Sequence, residues 1–380
     1  MIPIGLYRPD LPDTTKGISG IIANAIVRSD PEVGVFYCPQ PGAAVLSTAD
    51  ALPDTPRGVV STVSRDGNYK TFVGTATKLY EVSADGSVTE IGTGYNLTAG
   101  DNWSMAQFGD YVYFTNTTDG LLRYSLESGG AVAAVSGAPL ARIIFPLFGA
   151  LCALDCDGNN RLLKMSKTND PTVWSGDASN RYQEFPEGEQ LMGGGEVGMN
   201  YAIILQRNAI RVLTRTADRR IFSASILATN VGTQSTDACC IAKGWCYFVD
   251  TDGPQRTNGQ VIEPIGKNKV AKTMIANIID GGLSSVQVAY DPAENRVLYR
   301  YRNTGVASET LFEDILAYYP DVDGEWAPLS VSTMAIVALA QPGYTLEELD
   351  AFGDLDTLAH SLDSRVWKGG EPRIGIFNSD

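Results

Sequence analysis

Histidine is nearly absent from this 380-residue chain; the one present is His360. That excludes a His-rich metal site and leaves almost no basis for a Ser-His-Asp triad. Ser361 and Asp363 stand close to His360, but residues so near along a chain seldom form a triad, and an ordinary surface or capping histidine is the simpler reading. Basic residues are thin as well. The 29 Lys and Arg face 44 Asp and Glu, for a formal charge of −15, and Arg219-Arg220 is the one adjacent basic pair. Such a chain has no stripe with which to grip phosphates, which argues against sequence-specific nucleic-acid binding. The cysteines Cys38, Cys152, Cys156, Cys239, Cys240 and Cys246 form no Cys-x-x-Cys pair. Several fall inside apolar strand patterns, so they read as structural thiols of a reducing compartment rather than a disulfide framework. No run reaches the roughly 18 apolar residues that a membrane span needs. Met1-Ile2-Pro3-Ile4-Gly5 does not open a basic-then-apolar secretory signal.

What is present is a repeat. A Gly or Asn opens a short apolar strand at Asn68, Gly109, Gly149, Gly198, Gly244 and Asn295, with spacings of 41, 40, 49, 46 and 51 residues. Short strands flank each one. Asp-Gly turns such as Asp85-Gly86 and Asp119-Gly120 join alternating apolar runs, a strong hairpin signal. Strand-built repeats of roughly 40–50 residues indicate a β-propeller, whose blades bury their faces only against one another. The expected fold is all-β: a β-propeller of about six blades with an N-terminal arm and a short helical insertion. Residues 1–30 read as the arm, 31–340 as the propeller and 341–380 as a segment that closes or caps it. The apolar stretch Gly20–Val27 is expected to dock on a neighbour. Residues 31–57 read as irregular chain with a short strand at Val33–Tyr37. Apolar residues at helical spacing predict a helix over Asn268–Ile279, and Thr345–Asp350 reads as a capped helical turn.

The chemical motifs are weak. Asp155-Cys156-Asp157-Gly158-Asn159 begins like a calcium loop, but its twelfth position is Ser166 and its Gly is fourth rather than sixth; a polar hairpin turn fits better. Asp250-Thr251-Asp252-Gly253 is read the same way. Gly193-Gly194-Gly195 lacks the Lys and hydroxyl of a phosphate loop and fits a strand passing close to a neighbour or a lumen. Ser64-Arg65-Asp66-Gly67 fails the Asp-box spacing of sialidases. The aromatics Trp103, Tyr111, Tyr113, Trp245, Tyr247, Tyr299, Tyr301, Tyr318 and Trp326 recur at matching repeat positions, which favours packing between blades over a sugar-stacking platform. No catalytic, metal or cofactor residue is nominated. Glu184, Glu187 and Glu189, around Pro186, are candidates for an acidic loop facing a channel, with a plain solvated loop as the alternative.

Three segments carry a family likeness: Lys167-Thr168-Asn169-Asp170-Pro171-Thr172-Val173-Trp174, Pro264-Ile265-Gly266-Lys267-Asn268-Lys269-Val270 and Ser361-Leu362-Asp363-Ser364-Arg365-Val366-Trp367-Lys368-Gly369-Gly370. Through them the chain resembles tail hub or nozzle proteins of tailed bacteriophages, especially short-tailed ones, some described as packaged-DNA stabilisation proteins. The resemblance spans roughly residues 30–377. It implies a structural, non-enzymatic virion protein, assembled in the host cytoplasm as a homohexameric ring below the head-to-tail adaptor. It implies further neighbours such as fibres or a needle, and non-specific passage of double-stranded DNA through the ring. An acidic chain suits such a conduit, because DNA must slide and not stick. Any constriction is expected in loops such as Arg256–Gly259 and Asn303–Glu309. The alternatives are a glycan- or receptor-binding propeller of a phage tail and, behind it, a propeller glycosidase.

Overall fold

A computed structural model describes residues 5–12, 15, 17–20, 22–32, 34–40, 52–65, 67, 69–83, 87–176, 181–279, 281–303, 312–340 and 372–377. His360, the Thr345–Asp350 turn and the Ser361–Gly370 segment lie outside the described residues, as do 304–309 of the loop after Asn303.

The N-terminal region supplies four short strands: β1 (Leu6–Tyr7), β2 (Ile18–Ser19), β3 (Ala25–Asp30) and β4 (Gly34–Pro39). β1 and β2 pair in parallel, and β3 and β4 form an antiparallel hairpin. Blade 1 follows with β5 (Val59–Val63), β6 (Tyr69–Gly74), β7 (Lys78–Val82) and β8 (Val88–Thr93). Blade 2 holds β9 (Ser104–Phe108), β10 (Tyr111–Thr115), β11 (Leu122–Ser125) and β12 (Ala133–Ala134). Blade 3 holds β13 (Ala141–Leu147), β14 (Ala150–Cys156), β15 (Asn159–Met165) and β16 (Tyr182–Glu184). Blade 4 holds β17 (Leu191–Gly198), β18 (Tyr201–Gln206), β19 (Ala209–Arg215) and β20 (Phe222–Thr229). Blade 5 holds β21 (Cys239–Ala242), β22 (Trp245–Asp250), β23 (Gly253–Thr257) and β24 (Ile262–Glu263). After the helix α1 (Ala271–Asn277), blade 6 holds β25 (Gln287–Asp291), β26 (Arg296–Tyr301), β27 (Phe312–Tyr319) and β28 (Glu325–Thr333). A last antiparallel pair, β29 (Ala335–Ala340) and β30 (Pro372–Phe377), completes the described strands.

Each of the six blades is a four-stranded sheet in simple sequential order. The first strand of each blade is innermost and touches the first strands on either side; β29 lies between β25 and β5 and so fills the gap between blades 6 and 1. The expected propeller of about six blades is thus present, with a narrow two-stranded sector in the ring besides them. The recurring Gly or Asn has a backbone reason. Gly109, Gly149, Gly244 and Asn295 take φ of 60, 75, 79 and 47° at the turn into the second strand, a left-handed region that glycine enters freely and asparagine tolerates. The second strands lie between two neighbouring blades and are buried on both faces. In β14 every residue but Asp155 is buried, and in β26 all are. That is why they read as continuous apolar runs.

The core is a set of inter-blade layers. Phe72, Leu79, Val112 and Phe114 pack blade 1 on blade 2, and Leu154, Leu163, Ile204 and Leu213 pack blade 3 on blade 4. Between blades 5 and 6 the layer is aromatic. Trp326 stacks against Tyr318 and Tyr299 at centroid distances of 4.9 and 5.4 Å, and Tyr318 reaches Tyr247 at 6.1 Å. The repeated aromatics are therefore packing residues: only Tyr111 among them is exposed, at 38%, and Trp245, partly buried, is capped by the Arg256 guanidinium at 4.1 Å.

The N-terminal region has a partner that the sequence does not announce. It docks on its own chain, along blade 6. Ile26 and Val27 pack with Ile315, Ala317 and Leu329. Arg8 grips Glu325 through two hydrogen bonds of 2.5 Å, both side chains nearly buried. The Asp10 carboxylate accepts the Lys272 and Thr273 N–H groups at 2.9 and 2.8 Å. These are open donors of the first helical turn, and α1 has no capping side chain of its own. The helix is shorter than the predicted 268–279 because Gly266, Lys267 and Asn268 turn instead, with Asn268 at φ 58°.

Candidate functional site: the propeller axis and the blade 3–blade 4 rim

The residues leading into the inner strands converge at one end of the axis. Asn102 precedes β9 and Asp237 precedes β21. Asn102 Nδ2 donates to Asp237 Oδ2 at 2.6 Å. Blades 2 and 5 are not neighbours, so this bond spans the opening of the ring. Burial pushes the Asp237 carboxyl above the usual aspartate range, opposed by the Asn102 hydrogen bond and the Arg300 guanidinium. Burial pulls Arg300 down to about 10, opposed by Asp237. Beside them Arg142 bridges Asp101 at 2.9 Å and Asp155 at 3.0 Å. Gln190 Nε2 also donates to Asp155, at 2.8 Å. Ser235 is committed, its hydroxyl donating to Val286 O at 2.8 Å. The cluster pairs its carboxylates with cations and amides. Sequence reading missed Asn102, Asp237 and Arg300, because only ring closure brings positions 102, 237 and 300 together.

The calcium-like loop is the β14–β15 hairpin turn. Asp155 faces Arg142, while Asp157 takes Lys164 Nζ at 2.6 Å and the Leu140 N–H at 3.0 Å. Two carboxylates turned to different cations do not form a joint oxygen cage. Asp250 is buried in the β22–β23 turn, where it accepts from Gln255 at 3.2 Å, and burial raises its carboxyl. The glycine run lies on inner strand β17 and does serve a close approach. A Cβ on Gly195 would sit 2.9 Å from Ile241 of β21, and one on Gly194 would run into Ile203 O. Arg256 and Thr257, expected in a loop, belong to strand β23.

The acidic candidates sit at the periphery. Glu184 ends the outer strand β16, and Glu187 and Glu189 lie in the connection to β17; all three are exposed. None is on an inner strand. Glu184 accepts from Asn159 at 3.2 Å and Glu189 from Asn208 at 2.7 Å. Glu184 and Glu187 border an open cleft of about 460 Å³ with Arg211, Asp218, Arg220 and Phe222. Arg211 is buried there, 4.6 Å over the Phe185 ring and bonded to Gln206 at 2.6 Å and Glu187 O at 3.1 Å. A second, smaller cavity of about 190 Å³ lies under the N-terminal region, where Tyr7, Tyr301 and Asp314 meet. Burial and the Asp314 charge push the Tyr7 phenol up to about 12.

Two of the family-like segments are structural joints. In Lys167–Trp174 the Asp170 carboxylate takes the Thr172 hydroxyl at 2.6 Å, Trp174 Nε1 donates to Pro171 O at 2.8 Å, and Lys167 N–H donates to Val173 O. The turn closes on itself. In Pro264–Val270, Ile265 O accepts from the buried Trp326 indole at 3.3 Å, and Lys269 Nζ donates to Gly324 O at 2.7 Å. That segment fastens α1 to blade 6.

No protein-family model and no curated protein matches the chain. Solved structures share its propeller fold. A quinoprotein alcohol dehydrogenase-like protein of Bacteroides thetaiotaomicron is 14% identical, with TM-score 0.48 over 75% of this chain and 69% of that one. The Cps50 (Swd1) propeller domain of Myceliophteria thermophila is 10% identical, with TM-score 0.46 over 77% and 95%. The WD40 propeller domain of Doa1 is 10% identical, with TM-score 0.43 over 76% and 87%. These likenesses concern the fold alone.

Proposed function

We propose that this chain is a non-enzymatic structural subunit of a phage tail, a hub or nozzle component. It assembles as a homo-oligomeric, six-membered ring beneath the head-to-tail adaptor. The ring surrounds the DNA path, retains the packaged duplex and passes it at infection; fibres or a needle are its other neighbours. The virion tail is then its location, after assembly in the host cytoplasm.

The observation that carries this reading is the pairing of two joint-forming, family-like segments with an acidic chain of net charge −15. Both segments bond back onto their own fold, through Asp170, Thr172 and Trp174 in one and Ile265 O and Lys269 in the other, as expected of residues that mark an architecture rather than a reaction. The acidic balance lowers non-specific affinity for a polyanion. The Asn102–Asp237 bond spans the propeller's own opening, so in this reading DNA runs through the hole of the ring of chains and not through one propeller.

The test is mass photometry of the purified chain, alone and with lysate of infected host cells, followed by negative-stain imaging of large species. Six-fold rings with a central hole are the expected result. A chain that never exceeds a dimer in either condition overturns the reading.

A further inference from the structure

Two of the six cysteines touch. Cys239 opens the inner strand β21, Cys246 lies in β22, and their Sγ atoms stand 3.6 Å apart. The hairpin register explains the contact. Cys239 is opposite Phe248 and Cys246 is opposite Ile241, so the two are diagonal neighbours on one face of the sheet. The tight Lys243-Gly244 turn, with φ of 49 and 79°, fixes that register. The face looks toward blade 4, where both cysteines join Ile203, Leu205, Ile210 and Val212 in one layer. They differ in access: Cys246 is fully buried and Cys239 only partly. Gly193 of blade 4 stands beside Cys239, where a Cβ would lie 3.8 Å from the sulfur. The missing side chain leaves room for an added oxygen atom. The other thiols are placed differently. Cys152 faces the layer between blades 3 and 4, whereas Cys156, four positions along the same strand, faces the layer between blades 2 and 3. Cys240 points away from Cys239, into the aromatic layer with Tyr247 and Tyr299. Cys38 is on the N-terminal hairpin.

We propose that Cys239 and Cys246 are an oxidation site, which a peroxide converts to a disulfide. The partly exposed Cys239 meets the oxidant. Its sulfur takes one peroxide oxygen and becomes a sulfenic acid, while the O–O bond breaks and water leaves. The Cys246 sulfur then attacks the Cys239 sulfur. The S–S bond forms, the S–O bond breaks, and the departing hydroxide takes the Cys246 proton as a second water. Two thiols lose two hydrogens, and one peroxide becomes two waters. The order of the steps follows from access and from the thiols themselves: the contact with Cys239, together with burial, pushes the Cys246 thiol well above the ordinary range. Closing 3.6 Å to the roughly 2.05 Å of an S–S bond draws β21 toward β22 at the end next to Asp237. Asp237 lies two positions before Cys239 and spans the opening of the propeller with Asn102. Oxidation therefore ties the mouth of the axis to the second strand of blade 5. The site does not depend on the ring reading.

The experiment takes the purified full chain, fully reduced, exposes it to hydrogen peroxide, and caps the remaining thiols with N-ethylmaleimide. Trypsin cuts the denatured chain after Lys243, between the two cysteines, so a disulfide leaves two peptides joined and mass spectrometry reads it directly. The expected result is a joined Cys239–Cys246 pair, with the other thiols capped and an intact mass lower by about 2 Da before capping. The oxidised chain should also melt at a higher temperature, and dithiothreitol should reverse the change. Cys240→Ser should form the bond as the parent does, and Cys239→Ala should not. A parent chain in which both cysteines are still capped after peroxide overturns the proposal. So does a parent in which Cys239 goes on to sulfinic or sulfonic acid with Cys246 unbridged, or one whose bridge runs through Cys240. These readouts come from the parent chain, so the result stands even if a variant fails to fold.

Discussion

Blades 4 and 6 both end in long outer strands, yet one edge is bare and the other sealed. On blade 6 the chain returns its own N-terminal segment to β28. Ile26 and Val27 cover its apolar side chains, the Tyr37 hydroxyl donates to Trp326 O at 3.3 Å, and Asn24 Oδ1 accepts the Ser330 N–H at 2.7 Å. Two nearly buried ion pairs fasten the region: Arg8 with Glu325, and Asp291 with an Arg296 that also donates to Gln40 at 2.8 Å. Among the described residues, β20 on blade 4 receives no such cover. From Ser223 to Ser225 its side chains are small or hydroxylic, which leaves the edge open. A long outer strand is thus covered from within the chain on blade 6 and left uncovered among the described residues on blade 4.

The comparison can be broken most severely at Glu325. Glu325→Ala leaves the Arg8 guanidinium, 11% exposed, without its carboxylate. Removing one partner of a buried pair costs about 3–5 kcal/mol, which chemical denaturation would read as a shifted midpoint. If the loss is below about 1 kcal/mol, the seal on blade 6 is weaker than its geometry. Within blade 4 the inner strand should be far less tolerant than the outer one. Gly194→Ala drives a methyl into Ile203 O, an overpacking expected to cost about 1–3 kcal/mol by the same measurement. Asp10→Ala removes the cap on α1 and should cost about 1 kcal/mol, with faster hydrogen exchange at Lys272 and Thr273. Ile226→Lys is the smallest of these in stability, within about 0.5 kcal/mol of the parent. A large stability loss there would mean that β20 is covered after all.

Legibility in the sequence followed burial. The second strands, such as Ala150–Cys156 and Tyr201–Gln206, are readable because blades press on both of their faces, so all but one position in each is buried. β20 was not read as a strand, because four exposed residues in a row carry no alternation. The helix was recognised but drawn too long, since its start is set by a turn at Gly266–Asn268 and a cap from Asp10. The dock of the N-terminal region on blade 6 was not legible, because a partner more than 300 residues away, as Arg8 is from Glu325, leaves no local pattern. Of the site, Glu184, Glu187 and Glu189 could be named, but not their place at the rim.

The sequence by itself determined the strand repeat, the turn residues with positive φ and the acidic balance. All of these are local or additive properties: periodicity, backbone sterics and summed charge. Only the tertiary structure decided which edges are sealed, that Asn102 meets Asp237 across the opening, and that β29–β30 stands between blades 6 and 1. Those depend on closing a ring. Closure brings together groups far apart in sequence, and their pairing energy leaves no trace in the chain between them.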